Sequence, residues 1–185
     1  GVQTCALSDL TGGTSKRFGS DKSQAEIQGK TLLEYITTGL ENLIIVGPET
    51  SISATYVREE PIGSGPVAAI AAAMNAVDSE LVAIYATDMP FAPRITNQLV
   101  SALKNDAAIA IDCDGKLQPL AAIYRSEKLR SALATYESVE NQSVKSLIAK
   151  LVVDEVPLVE TEYLLDVDTH EDLLRAVDLA SRLAP

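Results

Sequence analysis

The stretch Leu10–Lys22, LTGGTSKRFGSDK, concentrates the pair Gly12-Gly13, a further Gly19 and three cations, Lys16, Arg17 and Lys22, in one short piece of chain. Glycines let backbone N–H groups approach phosphate oxygens with no Cβ in the way, and the cations add the positive charge that a neutral turn lacks. The chemistry this suits is the binding of a polyphosphate. A complementary acidic point is Asp88, which follows the apolar run Leu81–Tyr85 and precedes Met89-Pro90. A carboxylate at a strand tip facing a phosphate cradle can hold Mg²⁺, which takes one or two carboxylates together with phosphate oxygens and water. The plainer alternative is that Asp88 only starts the turn before the next helix. Asp166-Val167-Asp168 is a second acidic point, where alternate residues of an extended segment face the same way. There the alternative is that Asp168 or Thr169 caps the last helix.

Other candidates fall away on spacing. A P-loop needs glycine five residues ahead of Gly29-Lys30-Thr31, and Gln24 stands there, so Lys30 reads as ordinary surface. Gly63-Ser64-Gly65-Pro66-Val67-Ala68 fits only the loosest dinucleotide fingerprint, and the polar run Arg58-Glu59-Glu60-Pro61 separates it from the preceding strand. Asp112-Cys113-Asp114-Gly115 lies between two apolar runs and reads as a hairpin turn. His170, the one histidine, sits at a helix start with no Ser/His/Asp or metal spacing around it, which argues against hydrolase or zinc chemistry.

These residues must be positioned by the elements around them. Apolar strand-like runs recur at Val2–Leu7, Leu43–Val46, Ser53–Val57, Leu81–Tyr85, Ala107–Ile111, Leu120–Tyr124 and Val152–Val156. Helical patterns fall at 31–40, at 67–77 opened by Pro66, at 93–104, at 143–151 and at 170–183, the last preceded by Thr169 and Asp172 as an imperfect capping box. This alternation predicts an α/β fold of three layers, a mostly parallel sheet with helices on both faces. The arm Leu117–Ile123 after Asp114-Gly115 reads as a hairpin and makes the sheet mixed. Asp9, next to the first strand, is awkward if buried and should find an exposed end or a cation such as Lys16.

The 185 residues are read as one domain, 1–185, without repeat, low-complexity tract or linker. Aromatics are only 4% and Trp is absent, so the core falls to Ala, Val, Leu and Ile and broad stacking on nucleic acid is not expected. A net charge of -11 also opposes a polyanionic partner, which makes the local cluster of cations more telling. Cys5 and Cys113 fit no metal or redox spacing and are read as structural. With no leader pattern and no apolar run of the ~18 residues a membrane helix needs, the expected location is cytoplasmic and away from membrane.

LTGGTSKRFGSDK resembles the N-terminal signature of the molybdenum cofactor guanylyltransferases, L-A-G-G-x-S-x-R-M-G-x-D-K. Four further segments appear in the same order: Glu59-Glu60 before Gly65-Pro66, Thr87-Asp88-Met89-Pro90, Gln118-Pro119-Leu120 and Asp166-Val167-Asp168-Thr169. The resemblance implies a nucleotide-diphospho-sugar transferase fold and a Mg²⁺-dependent reaction in which the phosphate of molybdopterin attacks the α-phosphorus of GTP and releases pyrophosphate. It further implies that Leu10, Thr11, Gly12 and Gly13 hold the nucleotide through the backbone, that Lys22 and Arg17 contact its phosphates, and that Asp88 holds Mg²⁺. Glu60 takes roughly the place of a nucleotide-contacting Asp, with Glu59 as the alternative. Asp168 stands where Asn is common and would be a stronger metal ligand.

Such transfer needs positioning and charge neutralisation more than a covalent nucleophile, so Lys22, Arg17 and Asp88 suffice as catalytic candidates without an activated Ser, Cys or His. The chain departs from the pattern at Thr11, at Phe18 and in the polar Ser8-Asp9. It also departs where Gly47-Pro48-Glu49 follows Leu43–Val46 in place of the pattern's Asn. The expected partners are GTP and molybdopterin, with proteins that carry molybdopterin in reach. Alternatives are a cytidylyltransferase for the same pterin, a sugar-phosphate nucleotidyltransferase, or a nucleotide-binding module without catalysis.

Overall fold

The computed structural model describes residues 1–8 and 25–184. Leu10, Thr11, Gly12, Gly13, Arg17 and Lys22, together with Asp9, Lys16 and Phe18, lie outside the described residues.

Runs of Val, Ile, Leu and Ala build the central sheet, because side chains that alternate between two covered faces must be apolar on both. Its strands are β1 (Val2–Leu7), β4 (Leu43–Val46), β5 (Thr55–Val57), β6 (Leu81–Ala86), β7 (Ala107–Ile111), β8 (Leu117–Arg125) and β9 (Val153–Pro157), in the spatial order β5-β4-β1-β6-β8-β7-β9. A small antiparallel pair, β2 (Glu26–Ile27) with β3 (Lys30–Thr31), stands apart from it. Pairing is parallel throughout the β5-β4-β1-β6 half and again between β7 and β9. β8 alone is reversed, antiparallel to both β6 and β7, so the sheet is mixed as the hairpin reading requires.

The described helices are α1 (Leu32–Thr37), α2 (Pro66–Met74), α3 (Thr96–Ala102), α4 (Ser126–Leu133), α5 (Val144–Ile148) and α6 (His170–Leu183). Strand alternation divides the core. Val82 and Ile84 of β6, Ile109 of β7 and Tyr124 of β8 pack on the face covered by α2, α4 and α5. Ala83, Tyr85, Ala108 and Ile123 face the other way, toward Leu99 of α3 and Ile36 of α1. A third, smaller cluster joins Ala25, Ile27, Leu32, Phe91 and Val167 to Ala176, Leu179 and Ala180 of α6.

Helix bounds depart from the sequence reading where local chemistry overrides the apolar stripe. The expected helix 93–104 is a 3₁₀ turn, Ala92–Ile95, followed by α3, since Pro93 and the tight bend after Pro90 favour the narrower winding at the start. α4 carries no sequence-level start signal, because Arg125 occupies the N-cap and no side chain bonds the first turn. Before α6, by contrast, the capping box is complete: Thr169 Oγ1 accepts the Asp172 N–H at 3.1 Å and the Asp172 carboxylate accepts the Thr169 N–H at 3.0 Å. The shorter Asp still reaches. Among the described residues no helix is long and apolar enough to cross a membrane.

Candidate active site

The parallel half of the sheet ends level at its carboxyl edge. Leu7 stands opposite both Val46 and Ala86, and Val46 opposite Val57. Backbone bonds then stitch the exits together: the Ser8 N–H donates to the Val46 carbonyl at 3.1 Å, Gly47 to Val57 at 3.0 Å and Thr87 to Leu7 at 3.2 Å. Gly47 is needed for this closeness, since a Cβ there would lie 1.9 Å from Ser8 Oγ. Neighbouring strands run about 4.8 Å apart, so the chain that continues into the glycine- and cation-rich segment leaves the sheet beside the strand that leads to Asp88. It returns at Ala25, which is buried, and Ile27 packs with Phe91 and Val167. Both ends of that segment therefore flank Asp88 and the Asp166–Asp168 strip.

At this edge one carboxylate oxygen from each of Asp88, Asp166 and Asp168 lies within 4.8 Å of the other two. Two sequence-predicted acids, Asp88 and Asp168, are thus brought together, with Asp166 as a third. Asp88 and Asp168 are half-buried and Asp166 is exposed. Of the two residues read as possible caps of the last helix, Thr169 is the one that caps α6. Like charges at this spacing repel by about 3 kcal/mol per pair at an effective dielectric near 20, so the arrangement calls for a divalent cation or basic side chains. An all-carboxylate donor set fits a hard ion such as Mg²⁺.

What holds the two acidic arms is a feature that the sequence does not signal. The Val167 N–H donates to the Asp88 carbonyl at 2.8 Å, and the Val167 side chain is fully buried against Phe91 in the third cluster. An apolar residue between two acids announces burial but not its partner. Below Asp88, the buried Tyr85 hydroxyl meets Thr96 Oγ1 at 2.5 Å, and Thr96 bonds the Pro93 carbonyl at 2.7 Å, fastening the turn to α3.

Glu59 and Glu60 separate cleanly. Glu59 is 5% exposed and its carboxylate accepts the Gly63 N–H at 3.0 Å, so it shapes the loop before α2. Glu60 projects from that loop into solvent, after β5 at the same carboxyl edge. The loop is pinned further by a Ser64 hydroxyl bond to the Pro61 carbonyl and by the Asn141 N–H on the Ser64 carbonyl at 2.7 Å. It hands over to α2 through Gly65, whose φ of 91° suits glycine.

Remaining candidates are structural or peripheral. The Lys30 ammonium bonds Thr38 on the surface, and His170 is exposed at the start of α6. The Asp112–Lys116 turn closes the β7–β8 hairpin: the Asp112 carboxylate accepts the N–H groups of Asp114 and Lys116, each at 2.9 Å, and the Gln118 amide at 2.7 Å. The Lys116 bond leads in holding its pKa below the ordinary carboxylate value. Cys5 lies in the core as expected, whereas Cys113 is exposed at the hairpin tip and stabilises no core. An open groove of about 760 Å³ runs between this tip and α6, lined by Cys113, Glu162, Asp166, Arg175 and Arg182 among others, and so reaches the carboxylate cluster at Asp166.

Comparison with known proteins bears on the family and the fold. The family model described as the MobA-like NTP transferase domain matches residues 10–156. Probable molybdenum cofactor guanylyltransferases are similar to the chain. One from Bacillus cereus (strain G9842) is 27% identical over 90% of this chain and 92% of its own length. One from Mycobacterium avium (strain 104) is 29% identical over 89% and 90%. Among solved structures, molybdopterin-guanine dinucleotide biosynthesis protein A from Archaeoglobus fulgidus superimposes with a TM-score of 0.76 at 21% identity, covering 98% of this chain and 100% of that one. The 2-C-methyl-D-erythritol 4-phosphate cytidylyltransferase from Thermus thermophilus gives 0.64 at 18% identity over 97% and 99%. The architecture is that of the nucleotide-diphospho-sugar transferases.

Proposed function

The chain belongs to the MobA-like NTP transferase family, and from that premise we propose that it transfers GMP from GTP to the phosphate of molybdopterin, releasing pyrophosphate. The observation that carries this reading is the meeting of Asp88, Asp166 and Asp168 beside the strand from which the segment 9–24 departs. In this reading triphosphate and divalent ion would share one edge of one sheet. The relatives named as molybdenum cofactor guanylyltransferases support the pterin as acceptor.

In this reading Leu10, Thr11, Gly12 and Gly13 hold the nucleotide through backbone groups, Lys22 and Arg17 neutralise its phosphates, and Glu60 reaches the nucleoside from the β5 side. Asp88 and Asp168 hold Mg²⁺, with Asp166 beside them. When bound, the ion supplies charge stabilisation at the reacting phosphorus and at the leaving pyrophosphate. The incoming phosphate is already an anion, so no residue need deprotonate it, in keeping with a site that offers carboxylates and no histidine nearer than the exposed His170.

The test is pyrophosphate release by the purified protein given molybdopterin, Mg²⁺ and either GTP or CTP. Release with GTP that CTP does not compete away supports the proposal. Preference for CTP turns the reading to a cytidylyltransferase, release with a sugar phosphate in place of the pterin turns it to that class, and nucleotide binding without any release turns it to a non-catalytic module.

A further inference from the structure

Three strips of chain meet in the small apolar cluster under α6, and each runs directly into a part of the candidate site. Phe91 lies three residues after Asp88, Val167 lies between Asp166 and Asp168, and Ala25 lies three residues after Lys22. Phe91, Val167 and Ile27 are fully buried, and Ala176, Leu179 and Ala180 of α6 close the cluster from outside. The Phe91 ring also meets Tyr35 of α1 edge-on, with centroids 5.5 Å apart. Of the residues flanking these strips, Ala86, Met89, Ala92 and Leu164 pack in the second of the two larger clusters.

We infer that this third cluster sets the geometry of the carboxylates, with Val167 and Phe91 as positioning residues for metal binding; the inference rests on the metal site proposed above. The Val167 N–H fixes one arm to the Asp88 carbonyl, and the apolar contact fixes the direction in which the flanking Asp166 and Asp168 project. Removing methyl groups at Val167 or replacing the ring at Phe91 lets the arms shift by fractions of an ångström. A packed core resists that shift and a loosened one does not. Small cations with strict geometry feel such shifts in affinity, much as they feel loss of the groups that orient their ligands.

The experiment measures Mn²⁺ binding to the free protein by calorimetry, with melting temperatures on the same samples, for Val167→Ala, Phe91→Leu, Val82→Ala and Asp88→Asn. Val82 is the control: it is also fully buried and lies on β6, the strand that leads to Asp88, but packs in the first large cluster. The expected result is about tenfold weaker Mn²⁺ binding for Val167→Ala and Phe91→Leu, unchanged binding for Val82→Ala despite a similar fall in melting temperature, and recovery with Val167→Ile. Equal weakening in all three core variants, or none in any, overturns the positioning role while Asp88→Asn still abolishes binding. If Asp88→Asn leaves Mn²⁺ affinity intact, the metal site itself is wrong and the inference falls with it.

Discussion

Two aspartate-rich places at the carboxyl side of the sheet look alike in sequence and differ in construction. In the hairpin turn, Asp112 uses its carboxylate locally, on two backbone N–H groups within four residues and on Gln118. At the other place, Asp88 comes from the turn just after β6 while Asp166 and Asp168 come from the strip before α6, nearly eighty residues later in the chain, yet one oxygen of each lies within 4.8 Å of the others. A local carboxylate that satisfies backbone donors stabilises a turn. Carboxylates brought together from distant segments repel, and a neighbouring positive charge relieves that repulsion.

The largest effect is expected of Asp88→Ala. It is expected to lower kcat/KM for GTP about 10³-fold, or ~4 kcal/mol of transition-state stabilisation, with little change in melting temperature. If the loss stays within the range of an ordinary surface change, the two places are equivalent after all. Asp168→Asn keeps an oxygen ligand but removes a charge, so the expected effect is about tenfold weaker activation by Mg²⁺, read as a raised activation constant at unchanged saturating kcat. A fall in kcat alone would assign Asp168 some other role.

Thr169→Ala tests the junction between the acidic strip and α6. Loss of the cap should cost about 1 kcal/mol of stability, measured by urea unfolding, and shift the metal response less than Asp168→Asn does. The smallest effect belongs to Asp112→Asn, which retains an acceptor for the backbone N–H groups: activity is unchanged and the melting temperature drops slightly.

A pH series sharpens the same contrast. For Asp112 the Lys116 N–H leads in lowering the pKa. In Asp154 and Asp172 burial opposes ionisation but is outweighed by hydrogen bonds, from Lys104 and Asn105 to the first and from Thr169 and Asp168 to the second. All three are held below the ordinary value of 3.8. A depressed carboxylate contributes stability that is fully present above its unfolded pKa and is lost as pH falls through its folded one. Melting temperature should therefore hold down to about pH 4 and fall below it, more shallowly in Asp112→Asn.

Much of this was legible in the residues. Leu81–Tyr85 ends in Thr87-Asp88-Met89-Pro90, so a strand with an acid at its tip follows from composition alone, and the Asp114-Gly115 turn predicts the reversal that makes the sheet mixed. What stayed hidden is whatever depends on pairing at a distance. No local pattern tells that Leu7 stands opposite Ala86, that the Val167 N–H finds the Asp88 carbonyl, or that Glu59 turns inward to Gly63 while its neighbour Glu60 faces solvent. α4 escaped because its sequence, SEKLRSAL, offers three core positions and no cap.

The two thiols end up in opposite circumstances, and this makes the protein easy to instrument. Burial pushes Cys5 up to about 12, so it stays a thiol at neutral pH, while Cys113 stands in the open on the rim of the groove that reaches Asp166. Maleimide reagents should accordingly attach a fluorophore at one position without any mutagenesis. Its emission would then report, in real time, when something enters or leaves that groove.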